Sequence, residues 1–162
     1  MENTFSMKAN IGITDKNKQA IAEILNVLLA DEHILYTKTR NYHWNYEGDN
    51  FMEMHKFFEG QYEELAEIID EVAERIRMLG HYPEGRLKDF VRITRLQEQD
   101  YTTIQDDQLM NLLADHESII INIRKAVSKV NDTYKDAGTT DFITGLMKQH
   151  EKMAWMIRSY LK

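Results

Sequence analysis

Five ionisable side chains near the middle of the chain are spaced like metal ligands. His55 and Glu59 lie four apart, as do Asp70 and Glu74, and residues four apart share one face of a helix. His43 stands just upstream, where a helix is expected to be ending, with Trp44 beside it. Imidazole with carboxylate oxygen is a hard-to-intermediate donor set that suits Fe, Mn or Zn. Residues 55 and 70 are 15 positions apart, a rise of ~22 Å on a continuous helix. Bonds from such metals to nitrogen or oxygen are only about 2 Å, so one helix cannot close both pairs around a common ion. Two antiparallel copies related by a two-fold axis can, because residue 55 of one then faces residue 70 of the other. The spacing predicts a metal site divided across a homodimer interface. Either pair alone reads more readily as a solvated or salt-bridged helix face; both pairs with His43, on a stripe beside an apolar seam, read as a site.

The elements that must hold these residues are helices. Thr14 or Asp15 can cap a first helix whose apolar face (Ile21, Ile24, Leu25, Leu28, Leu29, Ile34, Leu35) runs to about Tyr42. Asn45 to Asp49 reads as a break, and a second helix of some 30 residues is expected to run to Leu79, stopped by Gly80. Its seam is Phe58, Tyr62, Leu65, Ile69, Val72, Ile76 and Leu79. The ligand stripe lies beside it, with the small Ala66 midway between the two pairs. A short helix holding Leu87, Phe90 and Val91 is expected to pack over the bundle within the long interruption at 80–104. A third helix starts near Asp106 and buries Leu109, Leu112, Leu113, Ile119, Ile120, Ile123, Val127 and Val130. After a break at 136–140, a fourth buries Phe142, Ile143, Leu146, Met153, Ile157 and Leu161. The reading is one domain over 15–162 after a flexible tail at 1–14: a four-helix bundle with a crossover between its second and third long helices, as in ferritin-like folds.

Composition agrees. One Pro, seven Gly and no Cys in 162 residues favour long helices, a reducing cytoplasm, and no thiolate chemistry or disulfides. No stretch approaches the ~20 apolar residues of a membrane span, and the first residues lack a secretory pattern. A net charge of −7 argues against simple electrostatic binding of nucleic acid. The sequence holds no Glu-x-x-His, the element of intrachain di-iron bundles, and no phosphate loop, nucleophile elbow or zinc-protease motif. His33, His116 and His150 read as packing residues within helices, and His81 as a loop residue. Trp155 and the nine Met read as core filling. Asp136 and Asp141 flank a helix start, where acids serve as caps.

The tract LLADEHILYTKTRNYHWNYEGDNFMEMHKFFEGQYEELAEIIDEVAERIRMLG resembles the signature region of the Dps family, the mini-ferritins named for DNA protection during starvation. LLADHESIIINIRKAV and TTDFITGLMKQHEKMAWMIRSYL resemble the same family, so the likeness covers nearly everything after residue 15. The resemblance implies an all-α, ferritin-like four-helix bundle with a short extra helix in the middle connection. It also implies a hollow homo-dodecamer built on two-fold dimers. His43, His55 and Glu59 of one subunit, with Asp70 and Glu74 of its mate, would form a ferroxidase centre. There Fe2+ would be oxidised to Fe3+, preferentially by hydrogen peroxide, and ferric mineral stored in the cavity. Acids among Glu63, Glu64, Glu67 and Glu71 would nucleate that mineral. Where the family often has Asp, Glu59 is one methylene longer. Trp44 matches a tryptophan thought to supply or trap an electron. Asp136 and Asp141 fall where the family lines three-fold pores that admit iron, and Gly145 stands where a further acid is often found.

DNA binding is the property for which the resemblance is least direct. Family members that bind DNA tend to carry a Lys-rich tail, whereas residues 1–18 hold Lys8, Lys16 and Lys18 against Glu2 and Asp15. Twelve subunits at −7 each carry about −84, which repels a polyanion. Weak or no direct DNA binding is expected. The rival reading is a structural, nucleoid-associated DNA-binding oligomer with little ferroxidase activity.

Overall fold

A computed structural model describes residues 8–161. Its helices are α1 (Asp15–Asn45), α2 (Phe51–Met78), the short α3 (Leu87–Ile93), α4 (Gln105–Asp132) and α5 (Ala137–Tyr160), with no strand among the described residues. None of these helices is long and apolar enough to cross a membrane. Contacts between distant residues give the directions. Tyr42 meets Phe58 and Tyr36 meets Tyr62, so α1 and α2 are antiparallel. Lys38 meets Asp115 and Tyr42 meets Asn111, so α4 is antiparallel to α1. Gln61 meets Met153 and Arg75 meets Asp136, so α5 is antiparallel to α2. Helices α2 and α4 therefore run the same way, and the long connection holding α3 returns the chain from one end of the bundle to the other. This is the ferritin-like architecture.

Local chemistry sets the helix ends. Thr14 caps α1 by accepting the Asn17 amide at 3.2 Å. The helix runs three residues beyond the expected Tyr42, since Tyr42 and Tyr46 are both buried and hold the last turn against the core. Helix α2 stops at Gly80, whose φ of +86° is the left-handed value that glycine adopts freely. The Gly80 amide reaches the Arg77 carbonyl and the His81 amide that of Ile76, the paired bonds of a Schellman close. Helix α5 begins at Ala137, five residues ahead of Phe142. The break expected at 136–140 falls instead at 133–136, and Asp136 caps the helix by accepting the Thr139 amide at 3.0 Å. Of the expected tail, residues 1–7 lie outside the described residues, and residues 8–14 form no helix.

The core differs from the expected one at several places. On α2 the buried line is Met54, Phe58, Gln61, Leu65, Ile68, Val72 and Ile76, and Tyr62 and Ile69 are only half-buried, because the face meeting α1 and α5 is rotated from the heptad seam towards Ile68. On α3 Phe90 is buried, but Leu87 and Val91 are exposed; they share a face turned away from the bundle. Trp155 is 59% exposed, and Met52, Met78 and Met110 are exposed too, while Met54, Met147 and Met153 are in the core. For Trp155 the reason is register, since its neighbours Ala154 and Ile157 take the inward face of α5.

Buried charges tie the crossover to α1. Asp31 accepts from the Thr94 hydroxyl at 2.8 Å, the Arg95 amide at 2.7 Å and the Arg95 guanidinium at 2.5 and 2.8 Å. Lys38 donates to the Gln97 carbonyl at 2.7 Å and to Asp115 at 2.5 Å, with both side chains about 5% exposed. Burial outweighs the opposing pull of Lys38 and pushes the Asp115 carboxyl above its ordinary value. Removing one partner of a buried pair strands the other, at a cost of about 3–5 kcal/mol. Lys38→Met is therefore expected to destabilise the chain by about that much at neutral pH, read by urea unfolding. A carboxyl with a raised native pKa contributes stability at low pH that is lost as pH rises through that pKa. With Lys38 gone the pKa rises further, so the loss from Lys38→Met should shrink as pH falls from 7 towards 4.

Candidate metal centre

His43 lies in the last turn of α1 and His55 in the second turn of α2, and the short link between the helices brings their rings face to face. The ring centroids are 3.7 Å apart at 19°. Nδ1 of His43 is 2.7 Å from the His55 carbonyl, and Nδ1 of His55 is 2.9 Å from the His43 carbonyl. A carbonyl oxygen only accepts, so both Nδ1 atoms carry hydrogen and donate. In the neutral ring each Nε2 is then a lone pair, the form that binds a metal. Helix termination makes this possible. The amide that would continue the helix, Glu47, turns instead to the Thr103 carbonyl at 3.2 Å, leaving the His43 carbonyl free for the imidazole.

Aromatic rings complete the frame. Phe51 stacks on His55 at 5.1 Å, and Tyr62 meets His43 edge-on at 5.2 Å. His43 is 6% exposed, and His55 and Glu59 are half-buried. Burial pushes the Tyr62 phenol up, and the nearby Glu59 carboxylate adds to that. Arg40, which the sequence reading passed over, lies over the rings of Tyr62 at 4.9 Å and Trp44 at 5.1 Å and donates to the Tyr36 hydroxyl at 2.7 Å. The spacing of Tyr36, Arg40 and Trp44, four apart on one helix, is the signal that could have found it. Trp44 itself is 59% exposed.

Asp70 and Glu74 lie further along α2. Both are exposed, as is Ala66 midway along the stripe. Among the described residues of one chain, no three His, Asp or Glu side chains come together to hold a metal. Within one chain the imidazole pair, at the α1–α2 junction, and the acid pair, further along α2, are separate. The remaining candidates are elsewhere. Asp136 is buried, accepting from Thr139 and facing Arg75 at 3.4 Å, while Asp141 is exposed on the following turn. His33 stacks on Phe90 at 4.0 Å, and burial holds it below the usual histidine value.

Comparison with known proteins gives the family of the chain. A ferritin-like domain profile matches residues 22–162. The chain is 35% identical to a DNA protection during starvation protein of Bacillus anthracis, over 90% of this chain and 98% of that one. It is 42% identical to an uncharacterized low temperature-induced protein of Nostoc, over 96% and 87%. The crystal structure of the Dps protein from Vibrio cholerae, described as a member of the ferritin-like diiron-carboxylate superfamily, superposes with a TM-score of 0.91 at 29% identity, covering 96% and 97%. The chain belongs to the Dps family of ferritin-like proteins. For this Dps chain the two imidazoles are expected to report one tautomer. Long-range 1H–15N correlation spectra should show His43 and His55 protonated at Nδ1, and a hydrogen at Nε2 alone on either ring would contradict the reciprocal carbonyl bonds.

Proposed function

We propose that this protein is an iron-storing ferroxidase that protects DNA and the cell from oxidative damage. Its site is completed between subunits, with His43, His55 and Glu59 from one chain and Asp70 and Glu74 from its two-fold mate. The observation that carries the reading is the reciprocal His43–His55 lock. It leaves the two Nε2 nitrogens out of the bonds that fix the rings, while among the described residues of one chain no three His, Asp or Glu side chains converge on a metal. The exposed acid pair on the same helix is the complementary half under two-fold symmetry, and exposed Ala66 lets two α2 copies approach near the axis.

Fe2+ is the substrate. Imidazole nitrogen receives it, and the harder Fe3+ product is stabilised by carboxylate oxygen. Hydrogen peroxide takes two electrons, one from each of two Fe2+, and with two protons becomes two waters, so no hydroxyl radical is released. Trp44, next to His43 and under Arg40, stands where it can donate an electron when only one iron is bound. Assembly as a hollow dodecamer supplies the storage cavity. Of the two proposed pore acids, Asp141 is the exposed one, whereas Asp136 is committed to capping α5 and to Arg75.

Exchange of subunits tests the divided site. His43→Ala and Asp70→Ala should each lower peroxide-driven Fe2+ oxidation at least about tenfold. Mixed dimers of the two variants rebuild one complete site in two, so co-assembly should restore a substantial part of the rate. No recovery on mixing would mean a site held within one chain. Unchanged rates in both single variants would remove the ferroxidase reading altogether. Direct DNA binding is expected to be weak, given the net charge of −7 per chain; a gel shift at low salt should show no tight complex near neutral pH.

A further inference from the structure

Beside the candidate centre lies a cluster of rings that takes no part in holding a metal. Tyr62 meets the His43 imidazole edge-on at 5.2 Å and the Tyr36 ring edge-on at 6.1 Å. Arg40 stands among them, its Cζ 4.9 Å from the centre of the Tyr62 ring, 5.1 Å from Trp44 and 5.6 Å from Tyr36. The guanidinium donates to the Tyr36 hydroxyl at 2.7 Å, but Nε of Arg40 is buried with no hydrogen-bond partner. A guanidinium short of acceptors is held here by electron-rich ring faces. Tyr36, Arg40 and Tyr62 are half-buried and Trp44 is exposed. The cluster thus connects a candidate ligand ring to the surface, and among the described ring pairs it is Tyr62, not Trp44, that touches the imidazole.

A cation over a ring makes an electron harder to remove from it, most of all where the oxidised ring keeps a positive charge. An indole loses its electron to give a cation first. A phenol gives up its proton with the electron and becomes a neutral radical. With both rings about equally close to Arg40, the guanidinium opposes oxidation of Trp44 more than that of Tyr62.

Resting on the ferroxidase reading above, we propose that Tyr62, ahead of Trp44, is the electron donor that completes the reduction of hydrogen peroxide when a site holds a single Fe2+. It acts through the His43 ring that it touches. Peroxide takes one electron from Fe2+ and one from Tyr62, and its O–O bond breaks. The phenolic proton and one proton from solvent go to the oxygens, so the products are two waters, Fe3+ and the neutral Tyr62 phenoxyl radical. A second Fe2+ then gives its electron to that radical, and with a proton from solvent the phenol is restored. The sum is two Fe2+ oxidised for each peroxide, as when both are bound together, and no hydroxyl radical is released.

Freeze-quench electron paramagnetic resonance tests this on the full chain, with Fe2+ supplied at less than one per site and peroxide in excess. The unsubstituted protein should show a tyrosyl radical whose hyperfine splitting collapses when the chain is made with ring-deuterated tyrosine, a label that leaves the fold untouched. Tyr62→Phe keeps a ring against His43 and should lose the signal, whereas Trp44→Phe should keep it. Fe3+ formation is followed by absorbance in the same samples, which separates the two readings. An unsubstituted protein that forms no Fe3+ removes the ferroxidase reading and this one with it. Iron oxidation without a tyrosyl radical, or with one that survives Tyr62→Phe or vanishes in Trp44→Phe, overturns the role of Tyr62 alone.

Discussion

The candidate centre depends on the reciprocal bonds between His43 and His55. Each imidazole donates from Nδ1 to the other residue's carbonyl, so one interaction fixes tautomer, ring plane and helix–helix distance together. A histidine on a freely rotating side chain would lose orientation entropy on binding a metal and would sample both tautomers. Here the backbone bonds hold Nδ1 of each ring, and the Nε2 nitrogens of the candidate centre are preorganised. The lock needs a helix end at Asn45, a short link, and a second helix starting at Phe51. Tyr46 secures that link by bonding Asn50 and approaching Gln105 at the start of α4.

The rest of the bundle holds α1 and α2 still. Apolar faces of the four long helices supply the core, and the crossover is anchored by charge. Asp31 and Lys38 on α1 both bind the segment that leads from α3 to α4. Buried ionic groups of this kind add little net stability over well-packed apolar residues, but each is costly to leave unpaired. They therefore discriminate against wrong positions of a long connection that has few apolar contacts of its own. The Glu32–His150–His116 line links α1, α5 and α4 in the same manner.

The two faces of α2 divide the labour. One carries Phe58, Leu65, Val72 and Ile76 into the core. The other carries Glu63, Ala66, Asp70 and Glu74 to the surface, where the acids make no ion pair among the described residues. Exposed carboxylates at helical spacing are ordinary. What distinguishes these is that the same stripe begins at an ordered, partly buried imidazole pair.

The sequence by itself determined the helices, their order and the crossover, and it carries the donor residues of the candidate centre, because 3.6-residue periodicity, capping residues and the rise per residue are local properties. It also sets the imidazole and acid pairs apart within one chain, since ~22 Å of helix is a distance no rotamer bridges. What only the tertiary structure decided is how side chains from different helices meet. The Nδ1 bonds of His43 and His55 join residues on two helices, and no spacing rule reports a ring stacked across a turn. Glu32, His116 and His150 lie as much as 118 positions apart, and only the packing of α1, α4 and α5 brings them into one line. Trp155 and Leu87 went the other way. Their hydrophobicity pointed inward, but neighbours on the same helix already filled the core-facing positions.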